Sequence, residues 1–405
     1  MHTYNENSQR RLRVFIFEVK GMLRKTYPSE KSTYTDERTG ATVTRLTNSK
    51  TSRNVPVYFT ENAFAKGGEA IFFISDRDTP GVDNIFSVDM KTGAITRHTA
   101  YTDRPVTHLS KDPHSRYMLY NHHNAAMILD LKTGAEKEIF KTPQGFKSGR
   151  ISLNCDQTLI GVLYNEDVQV EHGLNYTGFA EKMYRVKRCV IYMFPFCEGE
   201  IGEPIVAVRD TCEGGHLQFS PVNPHLFMYC HEGPWHLVMQ RIYLVNTETL
   251  DILPCFRQNK EDSVGHEFWT RNGLIFFDNR GPGHDGTITV NRTQAVATET
   301  PTADFVPYAG LADETGTVLK TYPLPHYCNH YHGNSQNTLL VGDEADDLVL
   351  IDLTKSPPEL KTLCHHGTSW NGQYTHCHPT FSWDDKHLLF ASDREGGINL
   401  YLVDL

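Results

Sequence analysis

His376 and His378 stand two residues apart in Gln373-Tyr374-Thr375-His376-Cys377-His378-Pro379-Thr380-Phe381-Ser382. On a strand, residues at that spacing share a face, so both imidazoles would point the same way. Gln373 follows a Trp370-Asn371-Gly372 turn signal, and its amide oxygen can reach the same side. Two imidazoles and an amide oxygen suit a borderline divalent ion. Alone, H-x-H more often marks histidines bonded to backbone carbonyls at a strand entrance. A second group, Cys328-Asn329-His330-Tyr331-His332, opens an earlier apolar run in the same manner. His266, in Val264-Gly265-His266-Glu267-Phe268-Trp269, is a candidate general base, because imidazole titrates near neutral pH. Its alternative is a histidine packed under Trp269. Arg241 heads an otherwise apolar run, so its guanidinium must be paired or face a polar cavity. It is either a partner of Glu232 or Glu267, or a clamp on an anionic substrate.

The elements that would position these residues recur along the chain. An apolar run is followed by a turn and then by a second run ending in Asp or Asn. Examples are Ile71–Asp76 with Asn84–Asp89, Tyr117–Asn121 with Ala126–Leu131, and His387–Asp393 with Asn399–Leu405. The unit returns about every 45 residues, stretched twice by insertions, as in β-propeller blades of four strands each. The second half of the fifth unit, after Leu274–Asp278, is indistinct. The expected fold is therefore all-β, a seven-bladed β-propeller. The chain ends inside the last blade, and the N-terminal strand Val43–Thr47 is expected to close the ring there. That gives an N-terminal extension over 1–41, with a short amphipathic helix over Arg10–Arg24, and one propeller domain over 42–405. Inner-strand entrances of a propeller cluster at one end of a central funnel. His216, His266, His330 with His332, and His376 with His378 all precede a core run. Adjacent blades allow His330, Gln373, His376 and His378 to share one ion with open positions, Mn²⁺ first, with Zn²⁺, Fe²⁺ or Ni²⁺ as alternatives.

Composition narrows the function classes. The net charge of −10 leaves no polybasic field for nucleic acid or anionic lipid, and no apolar run is long enough to span a bilayer. The run Val14–Phe17 is too short for a signal segment and is followed by Glu18 and Lys20. The nine cysteines are scattered without a CxxC pair, which points to reduced thiols and a cytoplasmic location.

The half from about Gly214 to Leu405 resembles the oligogalacturonate lyases, cytoplasmic seven-bladed propellers that degrade short pectin fragments. The resemblance rests on Cys230-His231-Glu232-Gly233-Pro234, Arg241, His266-Glu267-Phe268-Trp269, Cys328-x-His330 leading to Val341-Gly342-Asp343, Thr368-Ser369-Trp370, and Gln373-x-x-His376-x-His378-Pro379-x-Phe381. It implies His330, Gln373, His376 and His378 as ligands of Mn²⁺, His266 as the base and Arg241 as the assisting cation. Arg53, His216 and His231 are the candidate substrate-binding residues. The implied reaction is β-elimination on a short acidic oligogalacturonide, leaving a 4,5-unsaturated uronate. Ser52-Arg53-Asn54 stands where the family tends to carry His-Arg-Asn, and Ser148-Gly149-Arg150 replaces an aromatic-rich entrance. These departures touch the sugar subsites. Alternatives are a lyase for another uronate glycan, a non-catalytic propeller that binds a protein, and a TolB-like module. Metal content and an unsaturated-product assay separate them. Oligomeric state and any part played by His332 stay open.

Overall fold

Each repeat of the sequence folds as one antiparallel sheet, and there are seven such sheets of four or five strands. The computed structural model describes residues 24–171, 178–287, 305–324 and 328–405. The helix expected over Arg10–Arg24 lies almost wholly outside them. Within a blade, consecutive strands are neighbours, so short hairpins suffice. The Asp that ends a second run explains one such hairpin. Asp89 Oδ1 accepts from Thr92 N at 2.6 Å, and Gly93 takes φ 73°, a left-handed value that favours glycine. Asp130 and Gly134 repeat the device, with Lys132 N donating to Asp130 Oδ1 at 2.8 Å and φ 75° at Gly134.

Apolar residues alternate along the strands and fill the spaces between blades. Leu119 and Ile128 of the second blade meet Ile160, Val162 and Phe194 of the third, and comparable clusters lie at the other junctions. The ring is closed by the N-terminal strand Thr42–Arg45, which pairs with Gly397–Asp404, Val43 opposite Val403. Ser32–Thr35 adds a further strand to that blade, and Thr26–Tyr27 pairs with Ile95–Arg97 in the first. Residues inside the expected extension thus form sheet in two blades. The fifth blade is completed by Tyr308–Ala312 and Val318–Pro323, beyond an insertion that hides them in the sequence. The third carries an insertion with the short helix Phe179–Arg185, whose Phe179 and Lys182 reach the funnel. Among the described residues, no helix is long and apolar enough to cross a membrane.

Candidate active site

The inner strands of three blades carry a histidine at the same irregularity. His108, His216 and His266 have φ of 49°, 44° and 49°, and each falls within a register shift of its strand. A left-handed residue inside a bulge turns its side chain out of the pleat, here toward the axis. His378 does the same with φ 46°, just ahead of the strand Thr380–Phe381. The result is a cavity of about 650 Å³ at one end of the channel, walled in part by His216, His266, His330 and His378.

His330, His376 and His378 are each 2% exposed, and one ring nitrogen of each lies within 4.8 Å of the others. His330 donates from Nδ1 to Asp343 Oδ2 at 2.9 Å, and its backbone N donates to Asp343 Oδ1 at 2.5 Å. That leaves Nε2 of His330 as the lone-pair nitrogen. Nδ1 of His376 and both ring nitrogens of His378 are buried without a hydrogen-bond partner. Burial pulls His376 down to about 4, and burial followed by the neighbouring imidazoles pulls His330 and His378 well below the usual histidine value. Neutral imidazoles, close together and with unpartnered nitrogens, fit a divalent ion.

The route to this cluster differs from the expected strand. Gln373–Thr375 is a single 3-10 turn, and the strand begins only at Thr380. His376 and His378 converge through the left-handed backbone at His378 and not through the pleat. Gln373 is exposed on that turn and lines the same cavity.

His332 does not join them. It stacks on Phe268 with centroids 5.5 Å apart, its Nδ1 accepts from Phe381 N at 3.3 Å, and it faces a different cavity.

His266 is buried beside His330, their rings 5.1 Å apart. Its Nδ1 lies 3.2 Å from both Asp278 Oδ1 and Arg280 Nη2. Burial lowers its pKa first, the Asp278 carboxylate offsets part of this, and Arg280 and Arg241 add to the lowering. The indole against it is Trp235, edge-on at 4.9 Å, and not Trp269. Arg241 pairs with both carboxylates that the sequence offered. Its Nε donates to Glu267 Oε2 at 2.8 Å, and Nη1 is 3.6 Å from Glu232 Oε2. It also borders the cavity. His216 lies between the same acids, with Nδ1 2.6 Å from Glu267 Oε1 and Nε2 3.7 Å from Glu232 Oε1. Burial opposes the Glu267 charge, but Arg241 and His216 outweigh it and hold this carboxyl far below its usual range.

Two expected substrate residues sit outside the cavity wall. His231 points to the next blade edge, its Nε2 2.8 Å from Asp210 Oδ2. Arg53 donates from Nε to Asp83 at 2.9 Å and lies over the Tyr374 ring, so it reaches the cavity only through that ring. Conversely, the sequence reading missed Arg150, Trp235 and Arg280. The Arg150 guanidinium covers the Tyr58 ring at 4.2 Å and has no ion-pair partner among the described residues. Trp235 is wedged between Gly265 and Gly286, and Arg241 and Arg280 lie over its ring at 5.8 and 5.2 Å.

Comparison with known proteins gives this arrangement its relatives. The chain is 26% identical to the oligogalacturonate lyase of Dickeya dadantii (strain 3937), over 92% of this chain and 95% of that one. It is 27% identical to the oligogalacturonide lyase of Pectobacterium atrosepticum, with the same coverage of 92% and 95%. A solved structure of an oligogalacturonate lyase in complex with manganese superposes with a TM-score of 0.78 at 25% identity, covering 94% of this chain and 98% of that one. The family model described as oligogalacturonate lyase matches residues 22–279, a span that holds Arg241 and His266 and ends before His330. With that match running over more than half of its length, the chain belongs to the oligogalacturonate lyase family.

Proposed function

We propose that this chain cleaves short galacturonate oligosaccharides by metal-assisted β-elimination, a carbon–oxygen lyase reaction. One observation carries the reading: three buried, neutral imidazoles, two of them with unpartnered nitrogens, cluster beside His266, and His330 and His378 among them line a cavity bordered by Arg150 and Arg241. His330, His376 and His378 would hold the ion, with the Gln373 amide oxygen as a fourth donor. A divalent ion bound there, manganese by likeness to the manganese-containing relative, supplies positive charge to a substrate carboxylate.

The protein's own residues do the rest. Asp278 and Arg280 both lie 3.2 Å from Nδ1 of His266 and fix the ring in place, and the buried, neutral imidazole is the base. The neutral imidazole takes the C5 proton of a galacturonate, the C–H pair becomes the C4–C5 double bond, and the C4–O bond breaks with its electron pair on the oxygen of the departing sugar, which then takes up a proton. Arg241 adds positive charge where the carboxylate gains negative charge, and Glu267 fixes its orientation. Arg150 offers a further guanidinium to a carboxylate along the chain, and His216 a hydrogen-bonding edge. All nine cysteines are unpaired, which supports the reducing, cytoplasmic setting expected from the sequence.

The test follows the unsaturated end group by ultraviolet absorbance. His266→Ala should keep its metal and lose turnover by about 10²–10⁴-fold. His376→Ala and His378→Ala should lose the ion, measured by elemental analysis, with the fold retained. A His266→Ala protein that still releases unsaturated product at the wild-type rate would refute the assignment.

A further inference from the structure

The far ends of the inner strands enclose a second cavity, of about 390 Å³, at the other mouth of the channel. Tyr58 lines the catalytic cavity and Thr60 lines this one. Between them Phe59 is fully buried, packed on His266, His330 and His378 on one side and on Phe268 on the other. The two cavities are therefore separate rooms sharing a floor.

The second room is built of groups that the proposed elimination does not use. Lys111 is 7% exposed, with Nζ 3.3 Å from Asp112 O and 3.1 Å from Ser115 Oγ. Burial pulls its pKa to about 8, so the ammonium is held with few solvent contacts. Lys66 places its Nζ 4.2 Å over the Trp383 ring at the same wall. Gln218 is 4% exposed and donates from Nε2 to His216 O and Glu267 O, while its Oε1 is buried without a partner. A buried acceptor left unpaired is costly unless a ligand meets it. The Nδ1 of His332 accepts from Phe381 N, so Nε2 carries the ring proton and can donate. Trp269 adds an indole, its Nε1 already given to Gln218 O. Glu61 turns its oxygens to Ser110 Oγ and Lys111 N, at 2.8 and 2.9 Å.

We infer that this cavity binds a small hydroxylated carboxylate, a single sugar acid, with Lys111 and Lys66 on the carboxylate and Gln218 Oε1 taking a hydroxyl proton. The indole of Trp269 covers its C–H face. Inorganic phosphate satisfies the lysines but has no C–H face and leaves the indole bare. The inference stands on this cavity's own residues, so it survives failure of the elimination reading.

The experiment is calorimetric titration of galacturonate into the His376→Ala/His378→Ala chain, or into chelator-stripped wild type if that variant does not fold. One site is expected to persist. Lys111→Met and the exposed-residue variant Lys66→Met should each weaken it by about tenfold or more, as removal of a charge-assisted contact does. Galactose, which lacks the carboxylate, and inorganic phosphate should bind more weakly by a similar factor. Lys66→Met should leave turnover of the unaltered catalytic site unchanged. No remaining site, equal affinity for galactose or phosphate, or unchanged affinity in both lysine variants would overturn the inference.

Discussion

His330, His376 and His378 differ in what their second nitrogen meets. Only His330 is held by a carboxylate, and Asp343 grips it twice, at Nδ1 and at the backbone N. Asp343→Asn keeps the shape but has one acceptor oxygen where two are used. It should weaken manganese binding by about 10–100-fold, the usual effect of losing such a supporting contact. Equilibrium dialysis reads this directly, and an unchanged affinity would show that Asp343 serves packing alone. The clustering of these three histidines was legible in the sequence because His376 and His378 are close neighbours and His330 opens the preceding run in the same manner. Arg150, Trp235 and Arg280 were not. Arg150 sits in a polar Ser-Gly-Arg stretch, and Arg280 follows Asp278-Asn279 like a turn residue. Each gains its role only when distant strands meet. His231 was over-read, although strand alternation held the warning. It lies next to Cys230 and Glu232, and those two share a face with His216, so His231 faces the other way.

Bulged inner strands are the elements that turn a repeat into a site. Their rhythm was readable from apolar runs, but the bulges were not, because they are set by pairing with the neighbouring strand. The same gap explains why His376 and His378 were expected on a strand that starts only at Thr380. Gly265 shows what a bulge needs. A Cβ there would lie 2.0 Å from Trp235 Cζ2, so Gly265→Ala must push the indole away from His266. Turnover should fall by about tenfold or more with metal content unchanged, since a displaced wall misplaces the base. Equal turnover would mean that Trp235 has no part in positioning. The His231–Asp210 pair makes a different prediction at a blade edge. Burial opposes the His231 charge, but hydrogen bonds to Asp210 and Cys212 outweigh it and raise the pKa from 6.5 to about 9. The protonated form therefore stabilises the fold in full below pH 6.5, and this contribution is lost as pH rises through about 9. His231→Gln should lower the melting temperature by a few degrees near neutral pH, from about 1–3 kcal/mol, and by almost nothing at high pH. A difference independent of pH would rule out the charged pair.

A closed ring has no free edge, so its weakest seam is where the two ends of the chain meet. Here that seam lies beside the candidate metal loop. Val43, on the closing strand, is fully buried in one cluster with Trp370, Cys377, Phe381 and Tyr401. Trp370 and Cys377 flank the turn that carries Gln373 and His376. Loosening the N-terminal strand should therefore loosen the metal loop, although Val43 touches no proposed ligand atom. Val162, equally buried, lies between the second and third blades, away from the seam. Val43→Ala and Val162→Ala delete the same two methyl groups, and each should cost about 2 kcal/mol through lost burial and the cavity left behind. The global cost is thus matched, and the local consequence is not. Hydrogen exchange over residues 370–381 should quicken in Val43→Ala and stay near wild type in Val162→Ala, because opening follows the packing that each change removes. Manganese affinity should fall with the first variant alone. If both variants exchange alike over that segment and bind the ion alike, ring closure and metal loop are energetically independent, and the coupling argued from their shared cluster is wrong.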